Sequence, residues 1–269
     1  MFRRRGGSFY HPLRERLSVQ PVWISLLACV VMLLGALIGI VLRRWLPGQH
    51  LDEHAREIVR LGSGLVGTIA ALVLGLLINS SNSFYEAQRN EIRQIAADLI
   101  LLDDLLAQYG SEAKPIRIQL REATELMIQK IWREHDAESA VTYGPGTLGG
   151  QVYAAMHTLE ADTRVKKALV GQALQLAVPI SQARLMLYER SQSSLSPPML
   201  GVLLFWLTAL FTSYCLFSPV NPTSGVALVL VALSTSAAVF LILEMGDPFS
   251  GFMRIPVSAM RTALPPLAP

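Results

Sequence analysis

Charge is scarce in this chain, and it is missing in long blocks. No Asp, Glu, Lys, Arg or His occurs between Arg16 and Arg43, between Arg60 and Glu86, or between Arg190 and Glu244. A transmembrane helix needs about 20 mostly apolar residues, so the first two blocks each hold one span and the third holds two with a turn between them. Pro219, Pro222 and Gly225 mark that turn, because they would break a continuing helix. The expected spans are 22–42, 61–78, 199–217 and 224–243.

Cysteine and histidine are also few. Cys29 and Cys215 both fall in expected spans, which argues against a disulfide framework or zinc site and for two small apolar side chains. The five histidines, His11, His50, His54, His135 and His157, are scattered, whereas hydrolytic or metal catalysis needs converging nucleophile, base or ligand groups. His50 and His54 are four apart, with Asp52, Glu53 and Glu57 nearby. That spacing suits a metal on one helix face, but a solvated loop is the commoner meaning. The expectation is no enzyme, no cofactor and no metal. Strand patterns and internal repeats are missing too, so the fold class is all-α.

At 52% hydrophobic and 16% charged residues, with a mean hydropathy of +0.41, the chain is more apolar than an ordinary soluble domain. Its pI near 9.0 does not indicate nucleic acid. Between Phe84 and Pro197 acidic residues slightly outnumber basic ones, and the excess of positive charge lies on the membrane flanks, chiefly Arg3, Arg4, Arg5, Arg14, Arg16, Arg43 and Arg44. The first apolar stretch is span-length and lacks a small-residue cleavage pattern before Arg43, so it reads as a retained anchor. Five arginines precede it, and the loop between the third and fourth spans carries none. The positive-inside rule therefore puts both termini and the region 84–197 in the cytoplasm. Arg43, Arg44, Arg56 and Arg60 oppose this, partly balanced by Asp52, Glu53 and Glu57. The resulting organisation is a basic amino terminus (1–21), a membrane hairpin (22–83), a helical cytoplasmic insert (84–197), a second hairpin (198–243) and a cytoplasmic tail (244–269). The expected setting is a cell inner membrane or plasma membrane.

The insert reads as helix throughout. Ile92, Ile95, Leu99, Leu102, Leu106 and Tyr109 alternate steps of three and four, which makes one stripe on a helix over 86–109, and Gly110 supplies a stop. After Lys114-Pro115 a second helix is expected to about His135, with Leu120, Ala123, Met127 and Ile131 inward. Past the turn formers Tyr143-Gly144-Pro145-Gly146, helical pattern resumes near Thr147 and continues to Tyr188. Pro179 should kink or divide that last helix.

The second span carries the residues of most functional interest. Gly64, Thr68, Ala71, Gly75, Asn79 and Asn82 share one helix face, small within the membrane and polar at its cytoplasmic end, while Leu65, Ile69, Leu72 and Leu76 occupy another. A small face in lipid serves close helix packing or lines a water-filled pore. In a pore, the run Asn79-Ser80-Ser81-Asn82-Ser83 would sit at the inner mouth. Gly35 and Gly39 form a GxxxG pair in the first span, fit for close backbone approach within the subunit or between subunits. Gly62, Gly64 and Gly67 match a dinucleotide-loop spacing, but they open a membrane span instead of following a strand, which excludes a nucleotide site.

The run Ala70-Ala71-Leu72-Val73-Leu74-Gly75-Leu76-Leu77-Ile78-Asn79, the helix from Asn90 to Gly110, and Asp247-Pro248-Phe249-Ser250-Gly251 after the last span together resemble the bestrophin-like family of bacterial membrane proteins. Similar proteins often carry a basic residue before that proline, where this chain has Gly246-Asp247; the segment reads independently as a turn at the membrane exit. The resemblance implies four spans, cytoplasmic termini, a pentamer and an ion pore lined by the second span. The ion-coordinating residues of bestrophins proper find no matching motif here. Two classes remain open: an oligomeric channel or transport protein for inorganic ions, and a membrane-anchored interaction or sensor protein acting through its helical insert.

Overall fold

The computed structural model describes residues 21–46, 53–133, 148–160, 162–191, 197–218, 221–249 and 251–263. The helices are α1 (Pro21–Trp45), α2 (Glu53–Tyr109), α3 (Lys114–Arg133), α4 (Leu148–His157), α5 (Arg164–Ser191), α6 (Pro197–Phe217), α7 (Pro222–Gly246) and the short α8 (Ser258–Arg261). Among the described residues there is no strand. Four helices, α1, α2, α6 and α7, are long and apolar enough to cross a membrane. The chain is an all-α membrane protein.

The second span and the helix expected at 86–109 are one continuous helix of 57 residues. The polar run Asn79–Ser83 does not interrupt it, because the helical backbone satisfies its own hydrogen bonds whatever the side chains outside carry. Gly110 ends α2 with φ 123, a left-handed conformation that disfavours any side chain. The single helix expected from Thr147 to Tyr188 is instead two. α4 stops at His157, and α5 begins after Thr163, whose Oγ1 accepts a hydrogen bond from the Lys166 backbone N–H at 3.2 Å. This is an N-cap, which starts a new helix. Pro179 lies inside α5 without dividing it. α7 begins at Pro222, and Ser224 Oγ accepts from the Asn221 backbone N–H at 2.8 Å. The arginines before residue 21, His50, Tyr143-Gly144-Pro145-Gly146 and Pro219 lie outside the described residues.

The chain divides into two compact units, Met1–Asn82 with Leu195–Met245, and Ser83–Ser194 with Gly246–Pro269. In the first unit, Cys29, Met32 and Ala36 of α1 pack with Phe211 and Cys215 of α6 and Ala232 of α7. Ala70 and Leu77 of α2 pack with Leu203 and Ile242. Ser236 Oγ donates to the Ser25 carbonyl at 2.6 Å and ties α7 to α1.

The second unit has the larger apolar core. The predicted stripe of Ile92, Ile95, Leu99, Leu102, Leu106 and Tyr109 is buried against Ile116, Leu120 and Met127 of α3, Val152 and Met156 of α4, and Ala173 and Ala177 of α5. Asp103, buried beside this stripe, accepts two hydrogen bonds from Arg117, at 2.7 and 2.8 Å. The bond to the Asp103 carboxylate holds the Arg117 guanidinium above its ordinary pKa, against the opposing effect of partial burial. The chain returns to this unit after α7. Phe249, Ile255 and Met260 join the core, and Trp132 Nε1–H donates to the Ile255 carbonyl at 2.9 Å.

Candidate functional site: the open face of the second span

Along its spanning part α2 buries one narrow seam. Ser63, Ala70, Leu77 and Ser81 are buried, and the seam continues through Gln88 into Ile92 and Ile95. These positions recur at steps of seven, four and three, so the buried line runs along one side of the rod. Val73, Leu74 and Ile78 flank this line, partly buried against the same cluster, and the remaining face of the spanning part is exposed.

The six residues of the predicted face are all exposed: Gly64, Thr68, Ala71, Gly75, Asn79 and Asn82. A methyl group added at Gly64 or Gly75 would meet nothing within 4 Å. Thr68 Oγ1 donates to the Gly64 carbonyl at 3.0 Å, so its proton satisfies its own helix and its oxygen remains an acceptor. Neither the Asn79 nor the Asn82 amide takes part in a hydrogen bond among the described residues. The Leu strip beside this face is equally outward, with Leu65, Leu72 and Leu76 each about two-thirds exposed. An apolar strip in a spanning helix is at home against lipid or another apolar helix. A strip of glycine, hydroxyl and amide groups is matched by water or by a closely packed backbone.

Gly35 and Gly39 have a different environment. A methyl group on Gly35 would stand 2.7 Å from Thr208 Cγ2 and 2.9 Å from the Thr208 carbonyl oxygen of α6. On Gly39 it would collide with the Thr212 carbonyl and stand 2.9 Å from Cys215 Cβ. Thr212 Oγ1 bonds the Gly35 carbonyl at 2.9 Å. The pair lets α1 and α6 of one subunit touch backbone to backbone.

Sequence reasoning missed Gln88. Its side chain is 1% exposed, and neither its amide nitrogen nor its amide oxygen has a hydrogen-bond partner; the hydroxyl of Ser81 is buried and unpartnered in the same way. The available signal was position: Ser81 and Gln88 are seven apart and fall on the line of Ala70, Leu77, Ile92 and Ile95. Among the described residues no group of three or more His, Cys, Asp or Glu side chains is placed to hold a metal ion.

Residues 29–260 match the bestrophin-like domain. The chain belongs to the bestrophin-like family. Its fold is similar to crystal structures of a bacterial bestrophin homologue from Klebsiella pneumoniae. One such structure aligns with a TM-score of 0.69 at 15% identity, covering 90% of this chain and 96% of that one. A second, solved by zinc phasing, aligns at 0.67 and 14% identity over 90% and 96%. No curated protein matches the sequence. At such identities the likeness of these structures speaks for the fold of this bestrophin-like chain.

Proposed function

We propose that this chain is one subunit of an oligomeric channel for inorganic ions, a pentamer by analogy with bestrophins, in a cell inner membrane or plasma membrane. The observation that carries the proposal is the open face of α2. Gly64, Thr68, Ala71, Gly75, Asn79 and Asn82 form a continuous small and polar strip that the subunit itself leaves uncovered. Copies arranged about a central axis would turn this strip to water and place the Leu65, Leu72 and Leu76 strip against lipid or a neighbouring copy. Asn79 and Asn82 would then present amide oxygens and nitrogens to partly dehydrated ions.

In this proposal both termini and the region 84–197 are cytoplasmic, supported by the arginines before α1 and the uncharged turn between α6 and α7. A cysteine placed at Ser111 is then expected to resist an impermeant thiol reagent applied to intact cells. Labelling from outside reverses the topology.

The test of conduction is reconstitution with Asn82→Asp and Asn82→Lys. A wet face moves ion selectivity in opposite directions in the two variants, whereas a face buried against another helix loses stability in both. A parent protein silent across ions and voltages, with both variants failing to fold, favours the interaction-protein alternative acting through the second unit.

A further inference from the structure

The second unit carries a cleft of about 750 Å³ between α3 and the segment that follows α7. Trp132, Phe249 and Ile128 contribute its apolar surface, and Arg254, Arg261 and Glu125 its charge. Trp132 and Phe249 meet edge to face, with ring centroids 5.7 Å apart at 85°. The far wall is fixed in place, since Trp132 Nε1–H donates to the Ile255 carbonyl and the Ile255 N–H donates to the Pro248 carbonyl at 2.8 Å. Gly251, at φ 73, adopts a left-handed conformation that favours glycine. The volume is in the range of sites for small organic ligands.

The charges do not cancel within the cleft. Glu125 is paired with Arg121 of its own helix at 3.2 Å, while among the described residues no carboxylate pairs with Arg254 or Arg261. Two guanidinium groups without a carboxylate partner favour a phosphate or carboxylate, whose oxygens match their fork of donors. An aromatic floor beside them favours an apolar group on the same molecule. We propose that this cleft binds an amphiphilic anion, with a phosphate or carboxylate head on Arg254 and Arg261 and an apolar tail on the Trp132–Phe249 floor. Such a molecule comes from two sources, an acidic phospholipid or a soluble alkyl phosphate or carboxylate.

The test uses the full chain with Trp132 as its sole tryptophan, made by Trp23→Phe, Trp45→Phe and Trp206→Phe. In detergent, octyl phosphate is expected to change Trp132 emission saturably, and to bind about tenfold or more weakly after Arg254→Gln with Arg261→Gln, the loss expected for charge-assisted hydrogen bonds. Inorganic phosphate should bind much more weakly than octyl phosphate, because it leaves the floor empty. In nanodiscs, chain-brominated phosphatidylglycerol quenching Trp132 more than equally brominated phosphatidylcholine identifies a lipid. Equal quenching together with an octyl phosphate response identifies a soluble ligand. If the glutamine variant does not fold, Arg254→Lys with Arg261→Lys keeps the charge, loses the fork and should weaken binding by a smaller factor. The proposal falls if neither probe responds, if the response survives the arginine replacements, or if inorganic phosphate binds as tightly as octyl phosphate. It also falls if the replacements change only the oligomeric mass, which makes the cleft a contact between copies.

Discussion

The first and second spans both place glycine at helical spacing, yet the two sets of glycines meet opposite surroundings. On α1, Gly35 and Gly39 lie against the backbone of α6, where an added methyl group has no room. On α2, Gly64 and Gly75 face open space, with room for such a methyl group. Without a hydrophobic drive between helices in lipid, small residues matter because they let dispersion and polar contacts form at short range. The α1 glycines obtain that benefit inside the subunit. The α2 glycines obtain it only when something outside the subunit arrives, and their neighbours Thr68, Asn79 and Asn82 make water or a second copy a better match than lipid. The same residue type thus allows close packing in one span and leaves an uncovered surface in the other.

The largest effect expected from this contrast is at α1. Replacing Gly35 and Gly39 together by Ile forces α1 away from α6 and should destabilise the subunit by about 3 kcal/mol or more, as overpacking does. Thermal unfolding in detergent measures it. Unchanged melting would mean that α1 and α6 do not touch backbone to backbone in the folded protein.

The four long apolar helices were legible in the sequence because charge is excluded from them over a bilayer-length run. The Ile92 to Tyr109 stripe was legible because a long helix on a core repeats its apolar positions at three and four. Element ends were less so. The Asn79–Ser83 run looks like a boundary in composition, but the hydrogen bonds of a helix do not depend on side-chain polarity, and α2 continues through it. The break before α5 had a local signal, Asp162-Thr163 before Arg164, outweighed in the pattern by the apolar positions on either side. A GxxxG pair tells of close approach but not of the partner, so α6 was not readable from Gly35 and Gly39. The members of the α2 face followed from periodicity alone. Its exposure depends on where three other helices lie, which periodicity does not report. The arginine cleft was invisible for a related reason: residues 247–261 have no repeating pattern, and only the return of the chain to α3 brings Arg254 and Arg261 into one cleft with Trp132.

A smaller effect separates backbone contact from side-chain bonding at the same α1–α6 seam. Thr212 Oγ1 lies 2.9 Å from both the Gly35 and Thr208 carbonyl oxygens. Thr212→Val keeps the shape and removes the hydroxyl, so it should cost roughly 0.6 to 1 kcal/mol, in line with interhelical hydrogen bonds in membranes. A loss comparable with that of the glycine replacements would assign the seam to hydrogen bonding instead of close packing.

The smallest effect is expected on α2, and it is the sharpest check on the comparison. Gly64→Ala and Gly75→Ala add a methyl group where the subunit offers no neighbour within 4 Å. Each should leave subunit stability unchanged or raise it by up to about 1 kcal/mol, because alanine favours the helix and restricts the unfolded chain. What these variants change instead should appear only in the assembled protein. A methyl on every copy narrows a pore at that level and lowers conductance without altering melting, whereas on a face that packs against a neighbouring copy it lowers oligomeric mass. Melting curves, oligomeric mass and conductance measured on the same two variants therefore distinguish an open wet face from an intersubunit seam. A clear loss of stability in the isolated subunit would show that α2 packs its glycines internally, as α1 does.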